Sequence, residues 1–394
     1  MMQQRIYLDN NADTEECASS SDARRRVAWG NPSSSVHEEG RVAKRTLEAA
    51  REQISRICGA STVIFTSGAT EANHLAITAG MRSSEKERIV TTGYYEHPSV
   101  WRVAAAYSPL AARLVRDSGE IDLAGLRELC SEPDVGMVSL ILAHNELGIV
   151  QDIWGLRHAV EASIRDRERP LVYHLDVTQL LGKARFSLAD SGADIASWSA
   201  HKFHGPAGAG GLLMSDTDTA ALLRPYPQCC AASGDPSGQE MGLRAGTENV
   251  AGAASAAAAL EHSQSPERWA ATRRSCEDLA AALDSRILRI NARPSMETVN
   301  EKSSRLCNTL HVSLNYGIAG HEVASALDRD WGIAVSTGSA CSKSAPSVAL
   351  RAAGYGDERI ASSLRITLSV DSPLTSAGVA RVARGIRVAT GKMA

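Results

Sequence analysis

Short apolar segments alternate with longer, helix-like stretches over the first two thirds of the chain. Segments with the length of a buried strand lie at residues 63–65, 88–92, 136–142, 170–176, 194–199 and 210–214. Buried strands separated by helices are typical of a mostly parallel sheet that is covered on both faces. The pattern therefore predicts an α/β architecture.

The pattern changes after residues 249–262, an alanine-rich stretch that predicts a helix. Beyond it, residues 308–314 and 364–368 alternate between apolar and polar positions as half-buried strands do. Helical stretches lie between these two strands, which indicates a smaller α+β domain. We expect an N-terminal arm packing with the small domain, a large domain and a small C-terminal domain, at residues 1–15, 16–258 and 259–394.

Composition and charge exclude several classes of protein. Of the 394 residues, 43% are hydrophobic and 22% are charged, which is ordinary for a globular protein with a large core. The net charge of −3 gives no basic field for nucleic acid or a membrane surface. The polar N-terminus does not resemble a signal peptide, and no apolar run is long enough to cross a bilayer. We expect a soluble, cytoplasmic protein without direct contacts to nucleic acid or membranes.

The eight cysteines lie at positions 17, 58, 130, 229, 230, 276, 307 and 341, with no CxxC pair and no zinc-finger spacing to histidine. Neither a metal site nor a disulfide framework is therefore indicated. The ordinary interpretation of any one of them is a small buried hydrophobe. The adjacent Cys229 and Cys230 are poorly placed to form a disulfide with each other, and we interpret them as structural or incidental.

Two polar side chains follow strands near the middle of the chain. Asp176 ends the strand at 170–176, where open α/β sheets bind ligands, although a carboxylate facing water is the alternative. Lys202 follows the strand at 194–199, beside His201 and before a glycine-rich stretch. Most lysines are solvated, yet one held among Gly and His can form a Schiff base. One strand–connection–strand unit separates Asp176 from Lys202, so both can reach one cofactor.

The segment Ser67-Gly-Ala-Thr70 stands between a strand and a helix. Backbone N–H groups at a helix N-terminus favour an anion, and Thr70 adds a hydroxyl group. A simple helix cap is the alternative interpretation. The segment matches neither a Walker A sequence nor a dinucleotide fingerprint, so nucleotide binding is not indicated.

Short motifs in a fixed order extend over nearly the whole chain. They are Tyr7-Leu-Asp-Asn-Asn-Ala, Gly30-Asn-Pro-Ser-Ser, Thr66-Ser-Gly-Ala-Thr-Glu, Glu96-His97, Asn145-Glu-Leu-Gly, His174-Leu-Asp-Val-Thr-Gln179, Ser199-Ala-His-Lys202, Gly242-Leu-Arg-Ala-Gly-Thr-Glu-Asn, Ser336-Thr-Gly-Ser-Ala-Cys341 and Ser362-Ser-Leu-Arg365. As a set, they resemble the NifS/IscS-type cysteine desulfurases, within the class V aminotransferase group of fold-type I pyridoxal-phosphate (PLP) enzymes. The resemblance implies a homodimer with PLP as cofactor, a seven-stranded, mostly parallel sheet in the large domain and a small α+β domain.

The resemblance implies a role for each cofactor-facing residue. Lys202 would carry PLP and move the proton at the substrate Cα. Asp176 would pair with the pyridinium nitrogen and so keep the ring able to accept electrons. His97 would stack over the ring and act as an acid or a base, and Gln179 would bind the cofactor's phenolic oxygen.

Phosphate and substrate would be held by a second set of residues. The implied phosphate ligands are Ala69, Thr70, Ser199 and His201, with Thr247 from the second subunit. Asn145 would contact the cofactor and the substrate L-cysteine, and Arg365 would grip the substrate carboxylate with two hydrogen bonds.

Cys341 is the residue that specifies the reaction. It follows a predicted strand at 332–336, in a segment of Gly, Ser and Ala. Its thiolate would attack the substrate sulfur, leave a persulfide on Cys341 and release L-alanine. The sulfur would then pass to an acceptor protein. Aminotransferases have no use for this cysteine.

Several positions depart from the family pattern. Asp13 and His144 replace the usual Thr and Asn, and Pro236 begins a segment that is usually a glycine run. The loop after Cys341 is about two residues shorter than in IscS-type members, so it reaches less far. This favours a dedicated sulfur acceptor, as in DNA phosphorothioation or another specialised pathway, over delivery to many acceptors.

Two alternatives stay open beside the desulfurase. One is a selenocysteine lyase or another class V lyase or aminotransferase, and the presence of Cys341 argues against the aminotransferase. The other is a catalytically silent scaffold of a sulfur-transfer or DNA-modification complex. The joint presence of Lys202, Asp176, His97 and Cys341 disfavours the scaffold.

Overall fold

The computed structural model describes residues 5–84, 86–110, 114–164, 171–216, 238–283, 288–291, 304–315, 317–338 and 347–391. The proposed sulfur carrier Cys341 lies outside the described residues, as do Cys229, Cys230 and Pro236.

A seven-stranded sheet forms the centre of the larger part of the molecule. In spatial order, its strands are β2 (Thr62–Thr66), β9 (Gly210–Met214), β8 (Ile195–Ser199), β7 (Val172–Asp176), β5 (Val135–Ile141), β3 (Arg88–Thr91) and β4 (Ser108–Leu110). Strand β9 is antiparallel to both of its neighbours, and the pairings among β8, β7, β5, β3 and β4 are all parallel. The prediction of a mostly parallel sheet is confirmed.

Strand β4 is the one strand of this sheet that the apolar pattern did not predict. It has only three residues, contains Pro109 and lies at the sheet edge beside β3. Its first two residues are exposed. An edge strand of this kind has neither an apolar run nor a full ladder of hydrogen bonds, so its sequence carries no clear signal.

Helices pack on both faces of the sheet. They are α1 (Ala18–Arg26), α2 (Glu38–Cys58), α3 (Ala69–Ser84), α4 (Pro98–Ala104), α5 (Leu123–Cys130), α6 (Ile153–Ile164), α7 (Leu188–Ser191) and α8 (Val250–Ser263). Alternate residues of β2 enter different hydrophobic clusters, because successive strand side chains point to opposite faces. Val63 and Phe65 join the cluster that includes Leu47 of α2, whereas Ile64 joins Ala76 of α3.

A second, smaller sheet is antiparallel, in the order β10 (Leu288–Ile290), β12 (Thr309–Leu314) and β14 (Ser363–Thr367). The C-terminal helices are α9 (Pro266–Ala282), α10 (Gly320–Trp331), α11 (Val348–Ala352), α12 (Asp357–Ala361) and α13 (Ser376–Gly391). This region has a hydrophobic cluster of its own, which includes Leu279, Val312, Leu327, Ile366 and Val382. The elements agree with the predicted α+β character of this region.

The N-terminal segment joins the smaller sheet region. Strand β1 (Ile6–Tyr7) pairs in parallel with β13 (Ile333–Ala334), and the buried Leu8 belongs to the second hydrophobic cluster. The domain boundaries after residues 15 and 258 stay predictions, and residue 258 lies inside α8. A further pair of short strands, β6 (Ile149–Val150) and β11 (Ser304–Arg305), is antiparallel. Within the described ranges, no helix is long and apolar enough to cross a membrane.

A buried ion pair holds a strained turn that precedes residues 242–249. Glu240 and Met241 have φ values of 44° and 55°, in the left-handed region that costs energy for residues other than glycine. Arg51 of α2 donates to both carboxylate oxygens of Glu240 at 2.9 Å, and the backbone N–H of Phe65 donates to one of them at 2.7 Å. Because the Glu240 side chain is fully buried, its charge depends on these donors.

Glu240→Gln should destabilise the protein far more than Glu48→Gln. The first substitution leaves Arg51 without its buried counter-ion, which typically costs about 3–5 kcal/mol. Glu48 accepts from the same guanidinium at 3.1 Å, but its side chain is 45% exposed, so its loss should cost less than about 1 kcal/mol. Urea unfolding followed by circular dichroism measures both changes. Equal, small losses would show that the buried pair does not hold this turn.

Candidate active site

A cavity of about 780 Å³ opens at the carboxyl ends of the parallel strands, a size usual for small-molecule sites. The sequence-predicted residues that line it are Ala69, Thr70, His97, Asn145, Asp176, Gln179, Ser199, His201, Lys202 and Arg365. Thr247 is exposed and does not line this cavity. The structure thus brings together the side chains expected at the cofactor and the substrate, while Cys341 lies outside the described residues.

Asp176 lies at the floor of the cavity, at the end of β7. It is only 4% exposed. Its Oδ2 accepts a hydrogen bond from Asn73 Nδ2 at 2.9 Å, and its Oδ1 accepts one from the backbone N–H of Thr178 at 3.0 Å. These donors fix the direction of the carboxylate. A cationic group in the cavity would complete its pairing.

Asn73 links this carboxylate to His97. Its amide nitrogen donates to Asp176 and also to Ser99 Oγ at 2.8 Å, and Ser99 Oγ lies 2.7 Å from His97 Nδ1. The backbone N–H of Ser99 also donates to Nδ1, so a neutral His97 carries its proton on Nε2. Burial lowers the pKa of His97, with Lys202 acting in the same direction and Asp176 against it. Burial therefore favours the neutral ring of His97.

A second series of hydrogen bonds begins at the amide oxygen of Asn73. This oxygen accepts from Ser197 Oγ, which lies 3.2 Å from His174 Nε2. His174 Nδ1 lies 2.8 Å from Ser139 Oγ. Burial lowers the pKa of His174 to about 4, so this histidine is neutral. The network fixes the Asn73 amide so that its nitrogen points toward Asp176 and Ser99.

Lys202 is held by backbone carbonyl groups of the N-terminal arm. Its Nζ donates to the carbonyl of Asn11 at 2.8 Å and to that of Ala12 at 2.6 Å. Thr14 fixes the neighbouring backbone, because its N–H and hydroxyl both donate to the carbonyl of His201. The arm thus sets the position of the lysine that projects into the cavity.

The N-terminus of α3 provides the expected anion-binding corner. Ala69 and Thr70 begin the helix, and Ser199 and His201 approach it from the end of β8. Burial and the nearby Lys202 lower the pKa of His201, whereas Asp13, 2.9 Å from its Nδ1, raises it. Backbone N–H groups at a helix start and three side-chain polar groups suit a phosphate.

Arg365 projects from β14 and is almost completely buried. Its Nη2 donates to Asp9 Oδ1 at 2.6 Å and its Nη1 to the carbonyl of Asn145 at 3.3 Å. Its Nε finds no partner among the described residues. A guanidinium has five N–H donors, so these contacts leave donors for a substrate carboxylate. Asp9 is a neighbour of Arg365 that sequence reasoning did not identify.

Two buried carboxyl groups also line the cavity. Glu96 Oε1 accepts from the hydroxyl of Thr92 and from the N–H of Ile141, and burial raises the pKa of Glu96 to about 8. Glu146 Oε1 accepts from Ser347 Oγ at 2.9 Å, and burial raises its pKa as well. Within the described residues, neither Oε2 has a partner. Both groups are thereby favoured in the neutral form.

Both ends of the segment that contains Cys341 meet the cavity wall. On one side, Ser336 exchanges two backbone hydrogen bonds with Arg365, at 3.0 and 2.6 Å. A Cβ atom on Gly338 would lie 2.9 Å from Glu146 Oε2. On the other side, Ser347 lines the cavity and contacts Glu146.

The residues present fit PLP. The cavity joins a buried carboxylate, an amino group and a phosphate-binding corner, which are the groups that bind the ring nitrogen, the aldehyde carbon and the phosphate of this cofactor. The sequence predicted these groups because they follow strand ends or begin a helix. It did not single out Asn73, which stands among other polar residues in the first turns of α3.

Comparisons with known proteins agree with this geometry. Residues 6–378 match the aminotransferase class-V family. A cysteine desulfurase from Enterobacter agglomerans is 32% identical over 92% of this chain and 88% of its own length. A solved NifS-like protein is 28% identical, covers 99% of both chains and has a TM-score of 0.81. SspA, solved in complex with cysteine, is 25% identical over 92% of this chain and 98% of its own, with a TM-score of 0.74.

The family match spans most of the chain, and the similarity to the desulfurase covers nearly all of both proteins. The chain therefore belongs to the PLP-dependent class-V aminotransferase family, and within it to the cysteine desulfurases.

Proposed function

We propose that the protein removes sulfur from L-cysteine and retains it as a persulfide on Cys341. One observation carries the proposal: a single cavity brings together Asp176, Lys202, His97 and Arg365, and both described flanks of the Cys341 segment reach its wall. L-cysteine and the Cys341 thiol give L-alanine and the Cys341 persulfide. The substrate C–S bond breaks, an S–S bond forms, and no other oxidant or reductant is required.

The cofactor residues keep their implied roles in this proposal. Bound PLP supplies the electron sink that lets the substrate lose its Cα proton and its sulfur. Lys202 carries the cofactor and moves that proton, and Asp176 holds the ring nitrogen protonated. Neutral His97, with its proton on Nε2, covers the ring and serves as acid or base. Gln179 binds the phenolic oxygen.

Arg365 and Asn145 bind the substrate. The buried guanidinium already has an anionic partner in Asp9 at 2.6 Å, which fixes its direction before the substrate arrives. Asn145 fixes it further through its carbonyl oxygen. A carboxylate in the cavity would use the N–H groups of the two terminal nitrogens that remain available.

The other cysteines among the described residues are unsuited to carry sulfur, which supports Cys341 in that role. Cys17, Cys58, Cys130, Cys276 and Cys307 are all buried. Burial raises the pKa of the Cys58 thiol to about 12 and that of Cys307 to about 11, which disfavours the nucleophilic thiolate. Two residues lie between Cys341 and Gly338, so Cys341 lies at most about 11 Å along the chain from a residue that neighbours the cavity-lining Glu146.

Phosphate binding and assembly complete the proposal. Ala69, Thr70, Ser199 and His201 hold the phosphate, and Thr247 reaches it from the second subunit of a homodimer. Two observations support the last point: Thr247 is exposed, and it does not line the cavity of its own chain. The persulfide passes to an acceptor protein in the cytoplasm, and the short loop after Cys341 favours a dedicated one.

Asp176→Asn should abolish most of the activity while the fold is preserved. The amide keeps the shape of the carboxylate but not its charge, so the ring nitrogen is no longer held protonated. We expect alanine release from L-cysteine to fall by orders of magnitude. Asp190→Asn, an exposed change on α7, is the matched control and should have no effect. Near-normal alanine release by Asp176→Asn would contradict the assigned role.

Cys341→Ser should bind PLP and L-cysteine but release no alanine by desulfuration. Mass spectrometry of the wild type, after L-cysteine and without reductant, should show one additional sulfur atom on the Cys341 peptide. Cys230→Ser is the control and should retain both activity and label.

Two outcomes would overturn the assignment of Cys341. The label could appear only on Cys229 or Cys230, or Cys341→Ser could turn over normally. A separate outcome, full activity of Cys341→Ser on selenocysteine with loss on cysteine, would favour a selenocysteine lyase.

A further inference from the structure

Lys183 is a buried lysine that the proposed reaction does not use. It is 3% exposed. Its Nζ donates to the backbone carbonyl of Gln179 at 3.1 Å and to the side-chain Oε1 of the same residue at 2.8 Å. Among the described residues, no carboxylate forms an ion pair with it. A lysine at such a position costs free energy that an apolar residue would not, so its amino group needs a function.

Burial, together with two nearby cations, favours the neutral form of Lys183. Burial lowers its pKa to about 7, and the nearby Lys202 and Arg365 act in the same direction, while the Cys307 thiol opposes them. A neutral amine retains two N–H groups, and Gln179 accepts two hydrogen bonds from Lys183. The contact with Gln179 therefore persists on both sides of pH 7.

This contact fixes the orientation of the Gln179 amide. Lys183 donates, so the group that faces it is the amide oxygen. The amide nitrogen then points the other way, where it donates to the carbonyl of Asn11 at 2.9 Å. The same carbonyl accepts from Lys202 Nζ at 2.8 Å. Gln179 thus presents N–H groups, and not its oxygen, beside the amino group that carries the cofactor.

We propose that Lys183 is a positioning residue that holds the Gln179 amide with its N–H toward the phenolic oxygen of PLP. The inference rests on the proposed function, because it takes Gln179 to bind that oxygen. An N–H donor stabilises the ionised phenolic oxygen, whereas a flipped amide would present an oxygen and destabilise it. Lys183 therefore sets the pH at which the cofactor bound at Lys202 gains a proton.

Lys183→Met should raise the pH midpoint of the visible absorption change of the PLP-loaded protein by about one unit. A hydrogen bond to a charged group has about this strength. Loss of the donor and loss of the Lys183 charge both favour the protonated cofactor, so the sign is unambiguous. Lys44→Met, the same change at an exposed position, is the control and should leave the midpoint unchanged. Should Lys183→Met not fold, Lys183→Ala is measured with the same expectation.

A double-mutant comparison separates positioning from charge. Gln179→Leu alone should raise the midpoint, and Lys183→Met should add little in that background. An equal shift with and without Gln179 would show that Lys183 acts through its charge, and the positioning role would be wrong. Gln179→Glu, which cannot donate while Lys183 is retained, should also raise the midpoint.

Failure of this inference is distinct from failure of the proposed function. If the wild type binds PLP with a visible band that titrates and Lys183→Met titrates at the same midpoint, the role of Lys183 is refuted. If the wild type develops no such band with PLP, the proposed function itself is wrong, and the inference falls with it.

Discussion

The carboxylate of Asp176 is buried at the end of β7, with Asn73 and the backbone N–H of Thr178 as its hydrogen-bond donors. A buried negative charge is costly unless a cation completes its pairing, and the cavity above it is where that cation can bind. The same Asn73 amide reaches His97 through Ser99. One side chain of α3 therefore orients the carboxylate and, through Ser99 Oγ, contacts the histidine whose tautomer the Ser99 backbone N–H sets.

The N-terminal arm orients a second set of side chains in the cavity. The carbonyl of Asn11 accepts from Lys202 and from Gln179, and Asp9 pairs with Arg365. The arm also pairs with β13, which leads toward the segment with Cys341. One short stretch of chain thus orients the groups proposed for the cofactor and for the substrate. Changes in the arm should therefore act on both.

Much of the candidate site could be predicted from the sequence, because its informative residues directly follow strands or begin a helix. Asp176 and Lys202 come directly after apolar strands, and Ala69 and Thr70 begin a helix after a third one. Strand order brings these ends together at one edge of the sheet, as in other open α/β sheets. The strand ends themselves are visible in the apolar pattern.

The remaining features depend on contacts between distant parts of the chain. Asn73 meets Asp176 across 103 residues, and Asp9 meets Arg365 across 356. No periodicity encodes such pairs, and a single sequence contains no signal for them. Lys183 lies close to Gln179, but its burial follows from packing around it, and a lysine in a turn is usually solvated. The edge strand β4 was missed because it has no apolar run.

The central claim is that this cavity holds PLP on Lys202, and chemical trapping tests it most directly. Borohydride reduction of the PLP-loaded protein, followed by peptide mapping, should place the pyridoxyl group on the Lys202 peptide and on no other. The Lys202→Ala variant should acquire no label under the same conditions. A pyridoxyl group on Lys183 or Lys343, or retained labelling of Lys202→Ala, would contradict the account.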